Sequence, residues 1–292
     1  MNVLWFSKIV TNTILQTVCA AASVIEEIWT DYFVAGVTSV DAELFVLLWR
    51  DDDYEEDNDI NQVAVYSIND YQLLRHLDVP GYTPDNASHM TSCVRHKCLY
   101  VSDGDNSCIH RYQLASSATS KWTVSGKPLG LSITPSGNLL VTCEGEPDKL
   151  IELRADSGQH VREVELPSAI VFPWHSVQVP SGQYVLCHGV YERGLHRVCA
   201  VGDDGQVTRS YGGQRGSDVG RLHIPCHLAV DEDSQFVFVA DMWNHRVVLL
   251  TPTLQFVRYV IEQRAHARRQ YFHQSTRRLF VGGEGGVTVI QL

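Results

Sequence analysis

The stretch LAVDEDSQFVFVADMWNHRVVLL, residues 228–250, holds the pattern that decides the fold. A short apolar segment at 228–230 meets a polar turn at 231–235, and a second apolar segment runs from Phe236 to Asp241. Asp and Ser favour turns because their side chains bond the local backbone, whereas Val and Phe suit a pleated surface. After the loop Met242, Trp243, Asn244, His245 comes a third segment, ending in VVLL. Three short strands joined by tight connections predict an antiparallel sheet.

The middle strand recurs along the chain, as LFVLL at 44, LYVSD at 99, LLVTC at 139, YVLCH at 184, FVFVAD at 236 and LFVGG at 279. Measured on Val46, Val101, Val141, Val185, Val239 and Val281, the steps are 55, 40, 44, 54 and 42 residues. That is the length of a four-stranded propeller blade. Each copy follows a short strand and turn, as in LSITPSGN at 131, and precedes a third strand, as in KLIEL at 149; an outer fourth is visible in HVREVEL at 160. Helical periodicity is absent beyond the N-terminal segment, so the fold class is all-β. The expectation is a six-bladed β-propeller over residues 21–292, after an N-terminal extension at 1–20. The last copy ends on its third strand, so part of residues 20–35 is expected to supply the outer strand and close the last blade, shielding strand edges.

Composition limits the function classes. The net charge is −11, and the run Asp51, Asp52, Asp53, Glu55, Glu56, Asp57 and Asp59 supplies seven of those charges. An acidic total disfavours phosphate backbones. The eight cysteines show no CxxC pair, which excludes a zinc-finger framework, and they read as reduced core residues. Polar residues at 11–13, 16 and 17 interrupt the N-terminal apolar stretch, so a cytoplasmic protein is expected rather than a secreted one. One sequon, Asn86-Ala87-Ser88, carries little weight there.

Residues 212–259, with their glycine-rich approach, Pro225, the LAVD segment, FVFVAD and Asn244-His245-Arg246, resemble an NHL repeat. The second copy, LYVSDGDNSCIHRYQL, is similar, with Asp103 and Arg111 in the matching places; the third, fourth and sixth lose the Asp and Arg. The resemblance implies a six-bladed recognition propeller, as in the tripartite-motif proteins, here without RING, B-box or coiled coil. It also implies structural acid–base pairs, Asp241 with Arg246 and Asp103 with Arg111.

In a blade of alternating strands, the loops between second and third strands emerge on the same face as the connections between blades. Rigidly held loops and exposed aromatic or Arg side chains are common binding elements. Trp174, Tyr191, Arg193, Trp243, His245 and Arg269 are therefore the candidate binding-face residues. His89, His175 and His227 fall at one repeat position, facing the central channel, with Arg269 taking that place in the last repeat. Three imidazoles could hold a catalytic zinc, as in the similar propellers of peptide-amidating lyases. Uneven spacing around the ring argues against a common focus, and no GxSxG, P-loop or HExxH occurs. The expectation is a non-enzymatic protein-interaction module without metal or cofactor. RNA binding through Arg264, Arg268, Arg269, Arg277 and Arg278 is the second reading, and a metal-dependent lyase or hydrolase the third.

Overall fold

A computed structural model describes residues 22–50, 62–82, 88–190, 193–262 and 267–292. The N-terminal extension, the acidic run, Asn86, Tyr191, Arg264 and the side chain of Arg193 lie outside the described residues. The chain is all-β. It runs β1 (Ser23–Val40), β2 (Glu43–Trp49), β3 (Gln62–Ser67) and β4 (Leu73–Asp78), then β5 (Met90–Cys93), β6 (Cys98–Asp103), β7 (Cys108–Gln113) and β8 (Thr119–Thr123). Next come β9 (Lys127–Ile133), β10 (Leu139–Glu144), β11 (Lys149–Leu153) and β12 (His160–Glu165), followed by β13 (Pro173–Gln178), β14 (Tyr184–Val190), β15 (Arg193–Val201) and β16 (Val207–Gly213). The last are β17 (Pro225–Val230), β18 (Val237–Asp241), β19 (Arg246–Leu250), β20 (Phe256–Ile261), β21 (Arg269–His273) and β22 (Arg278–Gln291).

These strands form five sheets, so the expectation of six blades is corrected to five. Four blades have four strands each, and the fifth has six, in the order β21-β22-β1-β2-β3-β4. The cause is β1, whose 18 residues pair with β22 from Ser23 to Phe33 and with β2 from Phe33 to Val40. Thr30, Asp31 and Tyr32 include neither Gly nor Pro, so nothing stops the strand between the two partners. The first and last repeats therefore share one sheet. A register irregularity between Trp29 and Phe33 marks where it bends, and its two halves meet across Leu44, Val46, Phe280 and Val287.

The core lies between successive repeats and not within any one of them. Phe45 and Leu47 pack on Leu99 and Val101, Tyr100 on Leu131 and Val141, Leu140 on Tyr184 and Leu186, Val185 on Leu228 and Val239, and Phe238 on Phe272 and Leu279. Strands covered on both faces read as continuous apolar runs, which is why FVFVAD does not alternate. The outer strands alternate weakly, and β4 and β16 are largely exposed. The described cysteines, 93, 98, 108, 143, 187, 199 and 226, are free and buried within this core. Among the described residues no helix is long and apolar enough to cross a membrane.

If the bend in β1 closes the ring, Ile28, buried against the Val34, Phe280 and Val287 group, should be as important as any central residue. Ile28→Ala is expected to cost about 2–5 kcal/mol, the usual range for a buried Ile truncation. Urea denaturation would check this; a change below about 0.5 kcal/mol would mean that residues 23–29 contribute little to closure.

Candidate functional site: the axial well and its histidine floor

Strand pairing fixes which residues occupy equivalent places. Gly36 pairs with Leu47, Gly130 with Thr142, His175 with Cys187, His227 with Ala240 and Arg269 with Gly282, while the residue after His89, Met90, pairs with Val101. One channel position thus carries two glycines, three histidines and an arginine. The glycines make room: a Cβ on Gly130 would lie 2.6 Å from the Trp174 carbonyl oxygen and 2.9 Å from His175 Cδ2, and one on Gly36 would lie 2.6 Å from Met90 Cβ.

Into that space the three rings converge. Ring centroids lie 5.0 Å apart for His89 and His175, 4.6 Å for His89 and His227, and 3.9 Å, stacked, for His175 and His227. All three side chains are buried. The expectation that uneven spacing prevents a common focus is corrected; Gly130, between the first and second histidine-bearing repeats, removes the obstruction.

Hydrogen bonds assign the protons. The Leu131 N–H donates to His89 Nδ1 at 3.0 Å, so the proton of this neutral ring sits on Nε2 and is donated to His227 Nε2 at 2.6 Å. His227 must then carry its own proton on Nδ1, where no partner is found among the described residues. His175 accepts the Leu228 N–H at Nδ1, 3.4 Å, and donates from Nε2 to the Leu131 carbonyl at 3.1 Å. All three are held neutral. Burial pushes His89 and His227 well below the ordinary value and His175 down to about 3, and the Arg269 charge adds to each shift.

This pattern does not suit a metal, although ligand atoms of the three residues lie within 4.8 Å of one another. A ligating imidazole needs a free lone pair and normally donates its other N–H to a carbonyl or carboxylate. Here each acceptor nitrogen already accepts a hydrogen bond, and His89 and His175 accept theirs from backbone N–H groups. Arg269 also places a fixed cation beside the rings, its Nε and Nη2 donating to the carbonyls of Ala35 and Ser88 at 2.8 and 2.9 Å.

The imidazoles floor a well of about 770 Å³ along the propeller axis. Its walls carry Thr38, Ser92, Leu131, Ser132, Val177, Leu228, Gln270 and Tyr271, and its rim is the set of turns between first and second strands, including Asp41, Arg95 and Glu232. The wall hydroxyls are engaged: Thr38 Oγ1 with Ser92 Oγ at 2.7 Å, Ser39 Oγ with Tyr271 Oη at 2.7 Å, and Ser132 Oγ to the Ser176 carbonyl at 2.8 Å. The concave site therefore opens opposite the loop face favoured by the sequence.

The proposed binding-face residues divide. Trp243 is exposed on a short 3-10 turn, Met242–Asn244, with its ring against His223, and His245 closes that turn in a left-handed conformation. Trp174 is not a projecting anchor, since its indole N–H donates to the Gly189 carbonyl at 2.9 Å and its ring packs in the core. Arg269 is buried in the channel, so it belongs to neither the binding face nor a basic patch. Of the other arginines, Arg277 pairs with Asp231 at 2.9 Å, Arg278 donates to Tyr71 Oη at 2.8 Å, and Arg268 lies over the Trp49 ring. Arg268, Arg277 and Arg278 are each half-buried against a partner of their own.

Asp241 and Arg246 form a buried pair at 2.8 Å, and the guanidinium also donates to the carbonyls of Ser217 and Arg221, fastening the 212–225 insertion. Asp103 and Arg111 do not pair. The residue opposite Asp103 is Cys108, and Asp103 instead bonds His110 at 2.9 Å, while Arg111 reaches Gln113.

No family model matches the chain, and no curated protein matches it in sequence. Solved structures do match. A catalytically inactive virginiamycin B lyase from Staphylococcus aureus, bound to quinupristin, is 12% identical over 90% of this chain and 82% of its own, with a TM-score of 0.61. Kuenenia stuttgartiensis hydrazine synthase is 12% identical over 92% and 98%, at 0.63, and the Cps50 (Swd1) β-propeller domain of Myceliophteria thermophila is 12% identical over 88% and 82%, at 0.58. The fold is a β-propeller. At these identities the likeness extends to the fold alone, and the NHL family is not established by it.

The floor sets a pH dependence. Unfolded histidines titrate near 6.5, above the folded values, so the unfolded chain takes up protons first as pH falls. Stability from this source is complete above about pH 6.5 and is lost on acidification toward the folded values. The slope is about 1.4 kcal/mol per pH unit for each histidine, or about 4 kcal/mol for three. Urea unfolding at pH 7.5 and 5.5 should show the loss, reduced by about one third in His175→Gln. A parent equally stable at both values would contradict the neutral floor.

Proposed function

We propose that this propeller is a recognition protein that takes part of its partner into the axial well and performs no reaction there. The observation that carries this reading is a well of ligand-binding size whose floor is a fixed hydrogen-bonded lattice. Its imidazoles have no free lone pair for a metal and no acceptor nitrogen open to remove a substrate proton. Resemblance of residues 212–259 to an NHL repeat supports recognition as the use of the scaffold. A well about 770 Å³ in volume suits one or two side chains of a protein segment, or a small molecule. The charged turns at its rim suit contacts with the polypeptide around the inserted group.

A second reading, docking of a protein on the opposite loop face, is favoured by Trp243, 47% exposed and backed by the His223 ring. The two faces can be separated experimentally. A library of capped tripeptides screened by thermal shift should yield binders to the parent that are lost in Gln178→Trp, which narrows the mouth, and retained in Trp243→Ala. Mass spectrometry of the bound peptides should show them unchanged. The opposite mutational pattern would move recognition to the loop face, and conversion of a bound peptide would make the protein an enzyme.

A further inference from the structure

In the second repeat the paired strands β6 and β7 end on Asp103 opposite Cys108. The fifth repeat ends the same pairing on Asp241 opposite Arg246, and the third on Cys143 opposite Lys149. A thiol therefore stands where those repeats carry a cation. Asp103 is buried all the same, and its one ion-pair partner among the described residues is His110. A buried carboxylate needs a counter-charge, so the missing guanidinium calls for a substitute.

Three side chains converge there. Cys108 Sγ lies 3.6 Å from Asp103 Oδ2 and 3.6 Å from His110 Nε2, and those two atoms lie 2.9 Å apart. Zinc ligands at about 2.3 Å for sulfur and about 2.1 Å for nitrogen or oxygen are about 3.6 Å from each other at the tetrahedral angle, and an oxygen–nitrogen separation of 2.9 Å closes the angle to about 90°. In contrast to the histidine floor, no backbone N–H donates to Sγ, Nε2 or Oδ2 among the described residues; the protons between these atoms are their own. Exchanging them for an ion breaks no bond to the backbone. A nucleophilic thiol–imidazole–carboxylate relay needs opposite ring nitrogens, whereas here Nε2 faces both partners.

We propose that Asp103, Cys108 and His110 form a zinc site that clips β6 to β7 beneath the loop face. On binding, the thiol gives its proton to solvent, the imidazole carries its proton on Nδ1 and coordinates through Nε2, and the carboxylate coordinates through Oδ2. The carboxylate and the thiolate then balance the two charges of the ion, and water takes the fourth place. A thiolate beside an imidazole selects zinc over magnesium or calcium, which prefer oxygen. Asn106 supports the carboxylate, its backbone N–H donating to Asp103 Oδ1 at 3.1 Å and its side-chain amide to both carboxylate oxygens at 3.0 Å. Because Asn106 is itself exposed, the cluster lies one side chain below the surface.

The test is titration of the whole, chelator-treated protein with zinc and with cobalt(II), in the parent and in Cys108→Ser, His110→Gln and Asn106→Ala, with His175→Gln as a control on the channel. The parent is expected to take up one equivalent of either ion, the cobalt form showing the ultraviolet charge-transfer absorption of a metal–thiolate bond and the zinc form a raised thermal midpoint. Cys108→Ser and His110→Gln should each weaken zinc binding more than about 100-fold, and the first should abolish the absorption. Asn106→Ala, a change at an exposed residue, should weaken it about tenfold, a usual loss when a group that orients a ligand is removed. His175→Gln should bind as the parent does. No thiolate absorption in the parent, binding unchanged in both Cys108→Ser and Asn106→Ala, or binding lost in His175→Gln would overturn the site and leave Asp103 and His110 as a structural pair. Should Cys108→Ser or His110→Gln fail to fold, Asn106→Ala decides by the same criterion.

Discussion

The arrangement depends on one peptide unit. Leu131 offers its N–H to His89 and its carbonyl to His175, so a single residue of the third repeat ties the second to the fourth across the axis. His175 in turn accepts from Leu228, and Arg269 reaches back to Ala35 and Ser88, carrying the chain of bonds around the ring. Propeller repeats meet mainly through apolar side chains, which set distance but not register. Directional bonds between first strands supply what those contacts leave open. They also fix every proton at the centre.

That same lattice decides what the channel can do. Three close imidazoles suggest a metal or an acid–base site, and the deciding issue is where their lone pairs are directed. Backbone donors occupy the acceptor nitrogens of His89 and His175, and His89 occupies that of His227. Burial and the nearby guanidinium keep all three from protonating. The floor is thus rigid and neutral. A pocket with such a base can discriminate by shape and by a few hydrogen bonds, as a recognition site does.

Much of the architecture was legible because its signals are local. Recurring strands such as FVFVAD, turn residues between them and blade-length spacing indicate the propeller, and aligning the hairpins places His89, His175, His227 and Arg269 at one level. The blade number failed because it depends on a strand that does not stop. Nothing in Thr30-Asp31-Tyr32 predicts whether the chain breaks there or bends, and the two partners of β1 lie at opposite ends of the sequence. The meeting of the histidines was also concealed, since it depends on Gly130, whose importance appears only when the strands are registered. Trp174 read as a projecting anchor because residue type alone does not separate such a side chain from one that packs inward, and Arg269, expected both on the binding face and at the channel level, sits at the channel level.

Nitrogen-15 NMR of the imidazole rings measures the central claim directly, by locating each proton. The account requires His89 and His175 to carry theirs on Nε2 and His227 on Nδ1, all three remaining neutral from pH 8 to pH 6. A His89 proton on Nδ1, or an imidazolium signal from any of the three at pH 6, would contradict the lattice and return the channel to consideration as a metal or acid–base site.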